Sequence, residues 1–164
     1  TSHQHGILQD ERTISIDSRL HKSPFMLILE DDSPFETFQC SLTDCLARSC
    51  QMLADNHELL SVRFLRRGDF PSVPRLKDER DFFYSPNFDL QPSVVRVRDW
   101  YVIHQLIERN WEQVSHLQCE LLLRMAFDQL SRSPFKHAVW WPDFGETHHL
   151  GVPDWQEQIK ALHL

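Results

Sequence analysis

The densest group of chemistry-bearing side chains lies in "FKHAVWWPDFGETHHLGVPDW", from Phe135 to Trp155. Asp143, Glu146, His148 and His149 carry the carboxylate oxygens and imidazole nitrogens that metal-assisted hydrolysis or general acid–base transfer would use. Their spacing argues against a shared ion. Neighbouring histidines point to opposite faces of a strand and diverge by about 100° on a helix, so only an irregular loop would aim both at one metal. The helical pattern HExxH is absent. We therefore assign no catalytic residue, no metal and no cofactor from the sequence, and keep these four as the candidates if the chain is an enzyme. Trp140, Trp141, Phe144 and Trp155 are expected to close the core, with the polar residues between them facing water.

A second group is basic. "RFLRRGDFPSVPRLKDER" ends one apolar run in Arg66 and Arg67, whose guanidinium forks suit a carboxylate or phosphate. With Trp140 and Trp141 these are the candidate ligand-binding residues. The wider stretch Arg63–Arg98 mixes arginines with carboxylates and reads first as a solvated surface. A row at intervals of four, His104, Glu108, Glu112, His116 and Glu120, looks like a ladder of ligands. Each step drifts by about 40°, so the row cannot share one site, and it reads as the solvated face of a helix.

Four cysteines, at 40, 45, 50 and 119, have neither zinc-site spacing nor the density of a disulfide scaffold, and free thiols are expected. In "CLARSCQMLA", Leu46, Cys50 and Ala54 have a Leu-x3-Cys-x3-aliphatic spacing that resembles the elongin BC-binding box of ubiquitin-ligase adaptors, and "FPSVPRL" is faintly similar to a cullin box. Cys45 replaces the usual leading Ser, Thr or Pro and the two pieces stand far apart, so the chain is not assigned to that family.

These residues need a scaffold. The 164 residues, 41% hydrophobic and 25% charged, suit one globular domain spanning 1–164. "TISID" and "FMLILE" read as strands able to pair as a hairpin, and "LLSVRFLRR" as a half-buried strand with Leu60, Val62 and Phe64 inward and Ser61 and Arg63 outward. Ser33, Pro34 and Glu36 form a helix start, which predicts a helix over about 34–55, with a second capping signal at Ser41. A proline-punctuated loop is expected over about 68–92. The stretch 99–130 lacks Pro and Gly and predicts one dominant helix, stopped by "RSPF", and a last helix is expected from Pro153. The fold expected is α+β: a small, mostly antiparallel sheet of three to four strands on a long helix (about 99–130) and a second helix (about 34–55).

Four glycines leave no room for a phosphate loop or a Rossmann turn, and the net charge of −7 disfavours nucleic acid. No apolar run is long enough to span a bilayer and the beginning does not read as a signal peptide, so no membrane partner is expected and a cytoplasmic location is. An 11% aromatic content and a long proline-rich loop point to a non-enzymatic interaction module or subunit with a protein partner. The alternative is a small-molecule-binding domain or enzyme, its anionic ligand held by the Arg cluster and the groups near 143–149. Nucleic-acid binding through Arg63–Arg98 is the weaker alternative.

Overall fold

The computed structural model describes residues 23–29, 35–36, 40–66, 73–89, 91–114, 117, 119–141 and 146–147, with backbone alone at 35–36, 66, 111, 114 and 146–147. "TISID", the Ser33–Pro34 helix start, Arg67, Asp143, His148, His149 and the helix expected from Pro153 lie outside them.

The chain is α+β, with a mixed sheet where a mostly antiparallel one of three to four strands was expected. Six strands are ordered β1-β7-β3-β8-β6-β5: β1 (Phe25–Ile28), β3 (Ser61–Arg63), β5 (Lys77–Asp78), β6 (Phe82–Ser85), β7 (Ser93–Arg96) and β8 (His137–Trp140). β3 is central, antiparallel to β7 and parallel to β8. A second sheet of two-residue strands is ordered β2 (Phe35–Glu36), β9 (Glu146–Thr147), β4 (Leu65–Arg66). β1 pairs with β7.

Three local expectations are corrected. The helix expected over 34–55 is α1, Leu42–Asp55, because Ser41 and not Ser33 is its cap: Ser41 Oγ accepts from the Asp44 amide at 3.1 Å. The loop expected over 68–92 contains the β5–β6 pair, turned at Glu79–Asp81, where the Glu79 amide donates to the Phe82 carbonyl at 2.8 Å. The single helix expected over 99–130 is three: α2 (Val97–Arg109), α3 (Trp111–Val114) and α4 (Cys119–Leu130). Asn110 ends α2 by folding its own amide back, Nδ2 donating to the Leu106 carbonyl at 2.7 Å. A side chain that competes for backbone acceptors in this way breaks a helix without any proline.

α1 covers one face of the large sheet, and α2 with α4 cover the other. On the first face Val62, Val94, Ala138 and Trp140 pack with Cys45 and Leu53 of α1. Trp140 is fully buried and its indole Nε1 donates to Ser49 Oγ at 3.0 Å, while Ser49 Oγ donates to the Cys45 carbonyl at 2.7 Å. On the second face Met26 and Val95 meet Trp100, Ile103, Leu123 and Phe127. Burial of each such large side chain is worth about 1.5–3 kcal/mol.

Arg96 ties the layers together. Its guanidinium donates to the carbonyls of Leu53, Asn56 and Leu59 and pairs with Asp99 at 2.7 Å, so it satisfies the open C-terminal end of α1 and anchors the first turn of α2. The thiols also differ from expectation. Cys40 and Cys45 form a disulfide, joining the residue before the Ser41 cap to the first turn of α1, and Cys50 and Cys119 are thiols. Among the described residues no helix is long and apolar enough to cross a membrane.

Candidate functional site

Strand alternation places Ser61 and Arg63 opposite Val62, on the α2/α4 face. Register sets His137 beside Ser61 and Val139 beside Arg63. This corrects the half-buried reading of β3. The polar face is roofed by Phe88, Phe127 and the side chains of α4, so Ser61, Arg63 and His137 all have no exposed surface. A strand paired on both edges and covered on both faces buries its polar residues as completely as its apolar ones.

Ser61 Oγ lies 2.8 Å from His137 Nδ1. The His137 ring meets Phe127 edge-on at 5.1 Å and Phe88 at 5.8 Å. Arg63 Nη1 donates to Asp89 Oδ2 at 2.5 Å. Asp89 Oδ1 accepts from Arg124 Nη2 at 3.1 Å, and that nitrogen also meets Glu120 Oε1 at 3.1 Å. Arg124 Nε reaches the Phe88 carbonyl at 3.2 Å, which fastens the Phe88–Asp89 segment to α4. The network grades outward, from the enclosed Arg63 to partly exposed Asp89, Arg124 and Glu120.

Electrostatics follow from that gradient. Burial lowers the His137 pKa well below its usual range, and the positive charges of Arg63, Lys136 and Arg124 push it the same way, so the ring is neutral. Burial also lowers Arg63, but Asp89 opposes the shift and a guanidinium starts so high that it stays charged at neutral pH. Burial raises the Glu120 carboxyl, the Asp89 carboxylate adds to this, and Arg124 opposes it. At His137 the surrounding field is therefore positive. Among the described residues, Arg63 Nε, Arg63 Nη2 and His137 Nε2 have no hydrogen-bond partner, nor has Trp100 Nε1 on the same face. A neutral imidazole beside a serine is half of a nucleophilic arrangement, but among the described residues no carboxylate stands behind His137 Nε2 to complete it.

The residues singled out from the sequence are placed elsewhere. Arg66 lies on β4 and Glu146 on β9, paired in one small sheet with Arg66 opposite Thr147. Trp140 sits in the core under Arg48, whose guanidinium carbon is 4.8 Å from the ring centre. Trp141 donates from Nε1 to the Glu79 carbonyl at 2.9 Å and packs on Phe83 at 4.9 Å, which secures the β5–β6 turn. His104, expected on a solvated face, is buried against Trp100 at 5.0 Å. Arg63 and Arg96, two members of the Arg63–Arg98 surface, are interior. Sequence reasoning placed His137 in a core-closing segment without giving it a role. The signal that marks it is pairing: polar Ser61 and His137 are directly opposite on neighbouring central strands.

A second feature lies on the outside of the helical layer. Leu106 and Ile107 of α2 and Leu122, Met125 and Ala126 of α4 line a shallow groove, closed by the amides of Asn110 and Gln129. Met125 is 39% exposed, and one turn away on the respective helices Leu121 is 41% and Val102 37% exposed. An open cleft of about 310 Å³ lies between the start of β1, the end of α1 and the start of α2, lined by Phe25, His57, Arg96 and Arg98 among others, but Arg96 there is committed to carbonyls and Asp99. Among the described residues no three His, Cys, Asp or Glu side chains converge to hold a metal. No protein-family model matches the chain, and no curated protein matches it at a significant level.

Proposed function

We propose that the protein is a non-enzymatic interaction module that receives an amphipathic helix of a partner protein in the α2/α4 groove. The observation that carries this reading is an apolar groove between two packed helices, lined by Leu106, Ile107, Leu122, Met125 and Ala126 with the amides of Asn110 and Gln129 at its margin, and flanked one turn away by exposed Val102 and Leu121. Such a surface takes the apolar stripe of a third helix by the same ridge-and-groove packing that joins α2 to α4. The net charge of −7 favours a partner helix with basic flanks.

The test is association measured with the partner that accompanies the protein through gentle purification. Leu121→Asp with Met125→Asp should weaken the complex by at least tenfold while leaving the melting temperature near that of the parent chain. Unchanged association in a folded double variant, or a chain that purifies alone, would remove the reading. A second reading, a domain that binds a small anion, is favoured by the unpartnered edge of Arg63.

A further inference from the structure

We propose that Arg63 and His137 form an enclosed binding site for a carboxylate or phosphate group, in the layer between the large sheet and α4. This rests on the second, ligand-binding reading and is independent of the groove.

The guanidinium has two edges that can take an oxyanion. Asp89 occupies Nη1, and the Nε–Nη2 edge, whose two N–H bonds run parallel, has no partner among the described residues. That edge matches the two oxygens of a carboxylate or phosphate in bidentate fashion. Its solvent exposure is nil, so water at the surface does not satisfy it. Leaving two buried donors of a charged group unmade costs several kcal/mol, which a folded chain rarely sustains without an ion or water in place.

His137 supplies the complement. Register makes it the diagonal neighbour of Arg63 on the same face, within reach of a long side chain. When the Ser61 hydroxyl donates to Nδ1, the proton of the neutral ring resides on Nε2, which is also unpartnered. Ser61 thus acts as a positioning residue that turns His137 Nε2 into a donor. Arg63, Lys136 and Arg124 give the site a positive field, and Asp89 and Glu120 lie on its outer, solvent-facing side. An anion there would meet two guanidinium donors and one imidazole donor in an apolar frame of Phe88 and Phe127, where each bond is stronger than in water.

The test uses the whole chain and two probes, ¹³C-formate and inorganic phosphate, titrated at constant ionic strength with chloride as balance. The readouts are the ring ¹⁵N and ¹H shifts of His137 and the melting temperature. A saturable shift of His137 Nε2 is expected with one or both probes. A rise of roughly 3–6 °C at ten times the dissociation constant should accompany it. Arg63→Lys keeps the charge but not the fork and should lose both responses; if that variant does not fold, the parent chain's His137 shifts decide alone. Native mass spectrometry separates the sources: a retained mass larger than a simple ion means the acid group of a bigger molecule, and a bare chain that still titrates means a freely exchanging ion. No saturable His137 response to either probe, or a long-lived water contact at His137 Hε2 that persists through both titrations, would overturn the site. Either result leaves the effect of Leu121→Asp and Met125→Asp on partner association untouched.

Discussion

Acid should unfold this protein through His137, and replacing that one ring should remove the effect. The imidazole is enclosed, neutral and surrounded by Arg63, Lys136 and Arg124, with Asp89 and Glu120 further out on the solvent side. Its folded pKa lies well below 6.5, whereas in the unfolded chain it titrates near that value. Below pH 6.5 the unfolded state therefore binds a proton that the folded state refuses. Stability falls as pH drops from 6.5 towards the folded pKa, by about 1.4 kcal/mol per pH unit. At pH 5.5 the loss relative to pH 7.5 is about 1.4 kcal/mol, which moves the urea midpoint by roughly 0.5–1.4 M. Glu120 acts with the opposite sign, since its folded pKa is raised and it gains stability as it takes up a proton, but that term is shared by both chains in the comparison below. The assay is urea unfolding of the parent chain and of His137→Asn at pH 7.5, 6.5 and 5.5. Asn keeps a polar partner for Ser61 and cannot titrate. The stability difference between the two chains should shrink or reverse by about 1.4 kcal/mol across that range. A difference constant to within a few tenths would refute the account of a buried neutral ring in a positive field.

Three further perturbations follow from the packing. Ser49→Ala leaves the Trp140 indole N–H buried without its acceptor and should cost about 1–3 kcal/mol in urea unfolding, more than the hydroxyl-removing Thr43→Ala at an exposed position of α1 would. Arg96→Met removes the donors that serve the carbonyls of Leu53, Asn56 and Leu59 and leaves Asp99 only its contact with the exposed Arg98. It should cost about 3–5 kcal/mol and accelerate amide exchange at the end of α1, whereas Arg98→Met, on an exposed side chain, should be nearly neutral. Reducing the Cys40–Cys45 bond, or Cys40→Ser, should lower stability by about 2 kcal/mol because the loop it closes is short, and alkylation of the unfolded, unreduced chain should modify two thiols and not four.

Local signals in the sequence carry a definite part of this structure. The α+β class, the strand at Phe25–Ile28, the strand begun at Ser61 and the helix end before "RSPF" all follow from apolar period and breaker residues, which act within a few positions of themselves. Ser41 was legible as a cap, and only its competition with Ser33 was misjudged, since both offer an oxygen to a helix start. The break at Asn110 was not legible, because an asparagine ends a helix only when its side chain finds the carbonyl behind it. The β5–β6 pair escaped notice because prolines beside it mimic a loop.

Tertiary structure alone decided the candidate site. Alternation in "LLSVRFLRR" correctly separates Val62 from Ser61 and Arg63, but it states only which residues share a face, never whether that face is covered. Covering came from α4, some sixty residues on, and from the parallel partner β8, which brought His137 beside Ser61. Sequence by itself thus determined the α+β class, several of the elements and which residues of a strand share a face. The burial of Arg63, the neutrality of His137 and the field around them arose only when distant segments removed water from both faces of one strand.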